Sequence, residues 1–332
     1  MRTPGYEIGP IRPPSEADSL LIRVTRNCPW NRCKFCNLYK GQKFGTRPVE
    51  EIKADIDNIK LLYGDNVPES VFLQDANTTV LTYGKLREIL LYLREKLPQI
   101  RRVTSYGRVD SLAKFSLAEL EGLKEAGLDR IHSGFESGSD KVLTLINKGY
   151  TKEQEIEAGR NVKASGIELS VYYMPGVGGR ELSDENAFET ADVVNLTNPD
   201  FVRIRTFVSK PGTGLYDDIE AGLMTECTDI EKLMELKKFI ENIDGADGRL
   251  HSDHIINLLQ NVRGNLKTDK VEMLAVIEDF ERLDPTGQRR IQLTRRLGMF
   301  GARESDIEAL LAQLDTDEKF ETFLLKLLRE YI

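Results

Sequence analysis

The chain has 332 residues, 40% of them hydrophobic and 30% charged, enough to bury a sizeable core as one large domain or one large and one small. A net charge of −8 disfavours nucleic acid as a partner, because binding to a phosphate backbone relies on clustered Lys and Arg. No apolar run approaches the roughly eighteen residues of a membrane span, and the N-terminus lacks the apolar centre of a signal peptide, so a cytoplasmic protein is expected.

Residues 1–19, with four prolines, read as an extended N-terminal arm. From residue 20 to about 215, short β-rich runs alternate with helical periodicity. The strands are expected at LLIRV (20–24), VFLQ (71–74), RVTSY (102–106), RIHSGF (130–135), IELSVYYM (167–174) and FVRIRTFV (201–208). Between them, Ile52, Ile56, Ile59 and Leu62 mark one buried helical stripe, and Leu86, Ile89, Leu90, Leu93 and Leu97 another. Leu117, Leu120 and Leu123 make a shorter one that stops at Gly127. Strand followed by helix, repeated, means parallel strands joined by right-handed crossovers, hence an α/β open barrel or doubly wound sheet. In either architecture the active groups gather at the carboxyl ends of the strands. SKPGTGLYD (209–217) reads as a hinge, and residues 216–332 as a helical C-terminal region that includes HIINLLQNV and shows no convincing strand.

Three of the four cysteines, Cys28, Cys33 and Cys36, lie just after the first strand. So few cysteines do not make a disulfide scaffold, and a reducing cytosol leaves them as thiols that can converge on a metal centre. A structural zinc site normally closes with four protein ligands, for which Cys227 and His132 are the distant candidates. A [4Fe–4S] cluster held by three thiolates instead leaves one iron open to a small molecule.

CPWNRCKFC after the first strand of a six-unit α/β pattern, with Phe35 before the last cysteine, resembles the radical S-adenosylmethionine superfamily. Its C-x4-C-x2-C spacing is one residue longer than the usual motif. The resemblance implies a partial (β/α)6 TIM-like barrel and a [4Fe–4S] cluster whose open iron chelates S-adenosylmethionine. It further implies reductive cleavage to a 5′-deoxyadenosyl radical that takes a hydrogen atom from substrate. The required electron implies a donor such as flavodoxin or ferredoxin.

The same resemblance suggests roles at the strand ends. Asp75 and Asn77 stand where the family binds the amino group of S-adenosylmethionine, though Asp75 also reads as a cap. Arg108 would meet a carboxylate of S-adenosylmethionine or of a small-molecule substrate, or form a structural ion pair. HSGFESGSDKVLTLINKGYT (132–151) resembles the fourth-strand segment of methylthiotransferase-type and cobalamin-associated enzymes, which places Glu136 and Ser137 at the ribose or the methionine part. Ser139 and Asp140 read as a helix cap. Met174, in YYMPGVGG, would offer an apolar face to adenine. Arg203 and Arg205 alternate with apolar residues, so both are expected on one face, toward an anion in the lumen or outward to helix carboxylates. Arg160 is a weaker carboxylate candidate.

With the cysteine strand beginning by residue 20 and only Cys227 left over, no preceding cobalamin domain and no second cluster are expected. His251 and His254, three apart, suggest helix-borne metal ligands, but Ser252 or Asp253 reads better as a helix cap. Arg289, Arg290, Arg295 and Arg296 suggest either a solvated helix face or contact with RNA. Two other classes therefore stand beside the main reading: a non-catalytic iron–sulfur or zinc protein, and an RNA-modifying radical enzyme.

Overall fold

The computed structural model describes residues 5–331. Six strands follow in chain order along one sheet: β1 (Leu20–Arg23), β2 (Ser70–Gln74), β3 (Arg102–Tyr106), β4 (Arg130–Glu136), β5 (Glu168–Tyr173) and β6 (Phe201–Ile204). β1·β2, β2·β3 and β3·β4 pair in parallel, with Leu20 opposite Val71, Phe72 opposite Thr104 and Thr104 opposite Arg130. Val71, Phe72 and Leu73 are consecutive and all fully buried. Strands covered on both faces read as such runs rather than as alternation.

The crossover helices bury the expected stripes. Ile52, Ile56 and Ile59 of α1 (Val49–Tyr63) and Leu86, Ile89, Leu90 and Leu93 of α2 (Tyr83–Lys96) are buried, whereas Leu62 is exposed. α3 (Leu117–Glu125) and α4 (Lys152–Ala164) each begin with a capping box, Ser116 with Glu119 and Thr151 with Gln154. α5 (Ser183–Thr197) precedes β6.

Beyond β6 the chain is mainly helical: α6 (Asp229–Glu241), α7 (Lys270–Glu281), α8 (Pro285–Leu297), α9 (Glu304–Gln313) and α10 (Asp317–Tyr331). It also extends the sheet with β7 (Arg249–His251) and β8 (Arg263–Asn265), an antiparallel pair in which Arg263 faces His251. The helix expected over HIINLLQNV does not form. Asn257 Nδ2 donates to Ile204 O at 2.8 Å and its Oδ1 accepts from Thr206 N at 3.0 Å, bonds that hold the segment against β6. Here tertiary hydrogen bonding overrides helical apolar spacing. The expected hinge is likewise tied down: Ser209 Oγ donates to Glu226 at 2.5 Å and Lys210 Nζ to Leu328 O at 2.6 Å.

Contacts divide the chain into two compact units, one formed by residues up to 135, 148–172 and 196–201, the other by 136–147, 173–195 and 202 onward. Within the second, Leu293, Ile307, Phe320 and Leu324 form the core of α8–α10. Arg296, fully buried, donates to Asp229 at 2.8 and 3.1 Å and to Ile256 O at 2.7 Å. Removing one partner of a buried pair strands the other charge. Asp229→Asn is therefore expected to cost about 3–5 kcal/mol in urea denaturation.

Candidate functional site

The cysteine loop is closed at its base by a two-residue ladder, Thr25 opposite Thr46 and Arg26 opposite Gly45. Asn27 and Asn31 adopt left-handed backbone, φ 68° and 47°, a conformation asparagine tolerates. Asn31 Nδ2 donates to Tyr39 O at 2.6 Å, Asn31 N to Cys28 Sγ at 3.4 Å, and Asn27 Nδ2 to Lys43 O at 2.7 Å. Asp75, at the carboxyl end of β2 and with no exposed surface, is the anchor: it accepts from Arg23 at 2.7 Å, from Asn27 N at 3.1 Å and from the Tyr39 hydroxyl. Burial and the Asp75 carboxylate keep the Tyr39 phenol protonated.

The three cysteines are free thiols near one another: burial first, then the charges of Cys33 and Cys28, push Cys36 upward, while Lys148 opposes this. The Lys148 ammonium lies 5.3 Å from the Phe35 ring centroid and 5.8 Å from that of Tyr150. The buried Arg108 donates to Lys148 O at 2.8 Å and to Asp110 at 2.9 Å, and sits over the Trp30 and Tyr150 rings at 5.6 and 5.5 Å. A β-carbon on Gly149, φ 86°, would lie 2.4 Å from the Trp30 indole. Gly149→Ala is therefore expected to cost about 2–4 kcal/mol in urea denaturation, from overpacking plus a left-handed alanine, and to lower bound iron after reconstitution.

Among the described residues no three His, Cys, Asp or Glu side chains converge on a single ion. A cubane takes each thiolate on its own iron, so the donor set of three neighbouring thiols in one loop fits that group. Neither distant candidate joins them. His132 Nε2 is 3.2 Å from the buried Glu16, and the Cys227 thiol, pushed up to about 12 by burial and then by Glu235, is held protonated.

Asn77 is also committed within the protein: its Oδ1 accepts from Arg108 N at 3.1 Å and Thr79 Oγ1 at 2.8 Å, and its Nδ2 donates to Ser111 at 2.8 Å. Arg160 is not at a strand end. It is exposed on α4 and donates to Leu196 O at 3.0 Å, in the last turn of α5.

In the second unit, Glu136 ends β4 with φ 67°, a strained conformation for a residue with a β-carbon and one that recurs at functional sites. Its carbonyl accepts from Met174 N at 2.9 Å. Ser137 is buried and its Oγ accepts from Ser139 N at 3.0 Å. Ser139 caps the helix Asp140–Leu145, as expected, by accepting from Val142 N at 3.3 Å.

Met174 is buried and opens the turn that carries Gly176, φ 84°. Behind that turn lies a carboxylate that sequence reasoning missed. One oxygen of the buried Glu235 accepts from Tyr173 OH at 2.9 Å, Gly176 N at 3.1 Å and Asn186 Nδ2 at 2.7 Å, and the other from Ser183 Oγ at 2.7 Å. Burial pushes Glu235 up to about 7 despite these four donors.

Arg203 and Arg205 do not share an environment. β6 ends at Ile204, so the two-residue alternation lapses: Arg203 is buried, 3.6 Å from Asp253, and Arg205 is exposed. His251 lies on β7 and His254 in the following irregular segment, so the two do not share a helix. The arginines of α8 have internal partners: Arg289 with Asp317 at 2.5 Å, Arg290 with Glu308, Arg296 with Asp229, and Arg295 with the carbonyls of Ile255 at 2.7 Å and Asn257 at 3.2 Å.

The parallel α/β sheet thus carries three free thiols in the loop that follows its first strand. The model of the Radical SAM superfamily matches residues 22–191. The chain belongs to that superfamily. It is 27% identical over 248 residues to an uncharacterized methyltransferase of Pyrococcus horikoshii, covering 71% of this chain and 51% of the relative. It is 25% identical over 268 residues to the tRNA-2-methylthio-N(6)-dimethylallyladenosine synthase of Syntrophus aciditrophicus, covering 76% and 56%. The chain thus spans about half the length of these curated relatives. Among solved structures, methylornithine synthase is similar at a TM-score of 0.47 with 20% identity, covering 88% of this chain and 85% of that one. No described helix is long and apolar enough to cross a membrane.

Proposed function

We propose that Cys28, Cys33 and Cys36 ligate one [4Fe–4S] cluster whose remaining iron takes S-adenosylmethionine, and that the enzyme abstracts hydrogen from a small-molecule substrate in the cytoplasm. The observation that carries this reading is the thiol triad itself, three neighbouring thiols in one loop. When bound and reduced, the cluster supplies one electron that cleaves S-adenosylmethionine to methionine and a 5′-deoxyadenosyl radical.

This chain's own residues do the rest. Asp75 and Asn77 position rather than bind, since their polar atoms are spent on the cysteine loop and on the turn after β3. Arg108 and Lys148 place positive charge beside the thiolates. Glu136 and Ser137 supply acceptors and a donor for S-adenosylmethionine, and Met174 an apolar surface for adenine. A flavodoxin or ferredoxin supplies the electron. A small molecule is favoured over RNA by the net charge of −8 and by the carboxylate partners that Arg289, Arg290 and Arg296 of α8 already have.

The test is anaerobic reconstitution with iron and sulfide, reduction by dithionite and assay of 5′-deoxyadenosine. Cluster-dependent product is expected. A brown protein that leaves S-adenosylmethionine intact, or a colourless one that retains zinc, would overturn the reading.

A further inference from the structure

The exit of β6 carries an arginine, Arg205, that has no carboxylate partner among the described residues. Arg205 is the first residue beyond the strand, and its N–H donates to Tyr173 O at 2.9 Å, which fixes it at the carboxyl end of β5 and β6. Its exposed guanidinium makes no hydrogen bond or ion pair among the described residues. The following residue, Thr206, donates from both N and Oγ1 to Asn257 Oδ1, at 3.0 and 2.9 Å, which brings the segment after β7 to the same strand end.

In that segment His254 Nδ1 accepts from Ile256 N at 3.3 Å, so a neutral imidazole carries its proton on Nε2. Nε2 is bonded to nothing else among the described residues. Burial, then the Arg205 charge, push His254 down to about 4, with Arg295 adding to this and Asp253 opposing it. Arg295 reaches the same segment from α8 through two carbonyls and has no carboxylate partner among the described residues. Asp253, the acid that acts on His254, faces Arg203 at 3.6 Å. Elsewhere in the same unit, buried or half-buried arginines such as Arg296 and Arg329 meet carboxylates. Cations set beside one another without a counter-ion are unfavourable until an anion arrives, and guanidinium with an N–H donor suits a carboxylate or phosphate.

We infer that Arg205, Arg295 and His254 Nε2 form the binding site for an oxyanion group, carboxylate or phosphate, of the substrate. The assignment to substrate rests on the proposed radical function, in which the strand ends form the reacting face.

Equilibrium dialysis of the reconstituted full-length protein against labelled inorganic phosphate at low ionic strength tests it. One phosphate per chain is expected. Arg205→Gln is expected to weaken binding about tenfold or more, the scale for a lost charged hydrogen bond, with Arg205→Lys restoring part of it and the melting temperature unchanged. His254→Asn, as a second variant, is expected to weaken it as well. Wild-type affinity in Arg205→Gln, or no binding to the wild type, overturns the site. Displacement of phosphate by S-adenosylmethionine overturns the assignment to substrate. A wild type that binds phosphate in this manner yet forms no 5′-deoxyadenosine sinks the radical reading and leaves the oxyanion site standing.

Discussion

Cys33→Ala is expected to yield a folded, colourless protein that forms 5′-deoxyadenosine only at background level. Cys33 is a ligand in the proposed cluster and is buried, so truncating it exposes little surface. Asp75→Asn should separate bracing from ligation. Its carboxylate touches Arg23, Asn27 and Tyr39, and none of the cysteine sulfurs. Partners that orient ligands typically tune affinity by about 10–100-fold, so Asp75→Asn is expected to retain a weakened cluster, lost progressively to a chelator. Iron content and chelation kinetics check both variants without reference to substrate. A fully stable cluster in Asp75→Asn would show that the loop holds itself.

The second large effect concerns Glu235. Its folded value of about 7 lies above the ordinary 4.5, so between these values the folded state binds more protons than the unfolded one. Stability contributed by this group is therefore fully present below pH 4.5 and is lost as pH rises through about 7, a loss on the order of 3 kcal/mol. Glu235→Gln keeps one oxygen for Tyr173, Gly176 and Asn186, and its amide can donate to Ser183 Oγ. That variant is expected to be more stable than the wild type at pH 8 and similar to it at pH 5. Glu235→Ala instead leaves the buried Tyr173 hydroxyl and Gly176 N–H without an acceptor and is expected to cost about 3 kcal/mol or more. Urea denaturation at the two pH values checks all three proteins, and a Gln variant that tracks the wild type at both would refute the assignment. Weaker S-adenosylmethionine binding in Glu235→Ala is also expected, because Gly176 N is one of the four donors and lies in the turn assigned to adenine.

The parts legible in the sequence were those written locally. Fully buried strands appear as runs such as Val71 to Leu73, amphipathic helices as stripes such as Ile52, Ile56 and Ile59, and the thiol triad as a spacing. The parts that escaped are pairings between residues far apart in the chain. Nothing near Gly149 announces that its missing side chain makes room for Trp30, and nothing near Gly176 announces Glu235. Asp75 and Asn77 were legible as polar residues at a strand end, but their partners were not, so ligand binding and bracing could not be told apart. The β7–β8 pair was hidden because its strands are three residues each and the intervening apolar residues mimic a helix until Asn257 bonds to β6.

Trp30 is the chain's single tryptophan, and it lies between Cys28 and Cys33. It lies against Gly149, with the Arg32 and Arg108 guanidiniums 5.3 and 5.6 Å from its ring, so fluorescence excited selectively at the indole comes from the cysteine loop and from nowhere else in the chain. The loop thus carries its own optical label: assembly of the proposed cluster would introduce a visible absorber into the same loop and can be timed as quenching without attaching a dye.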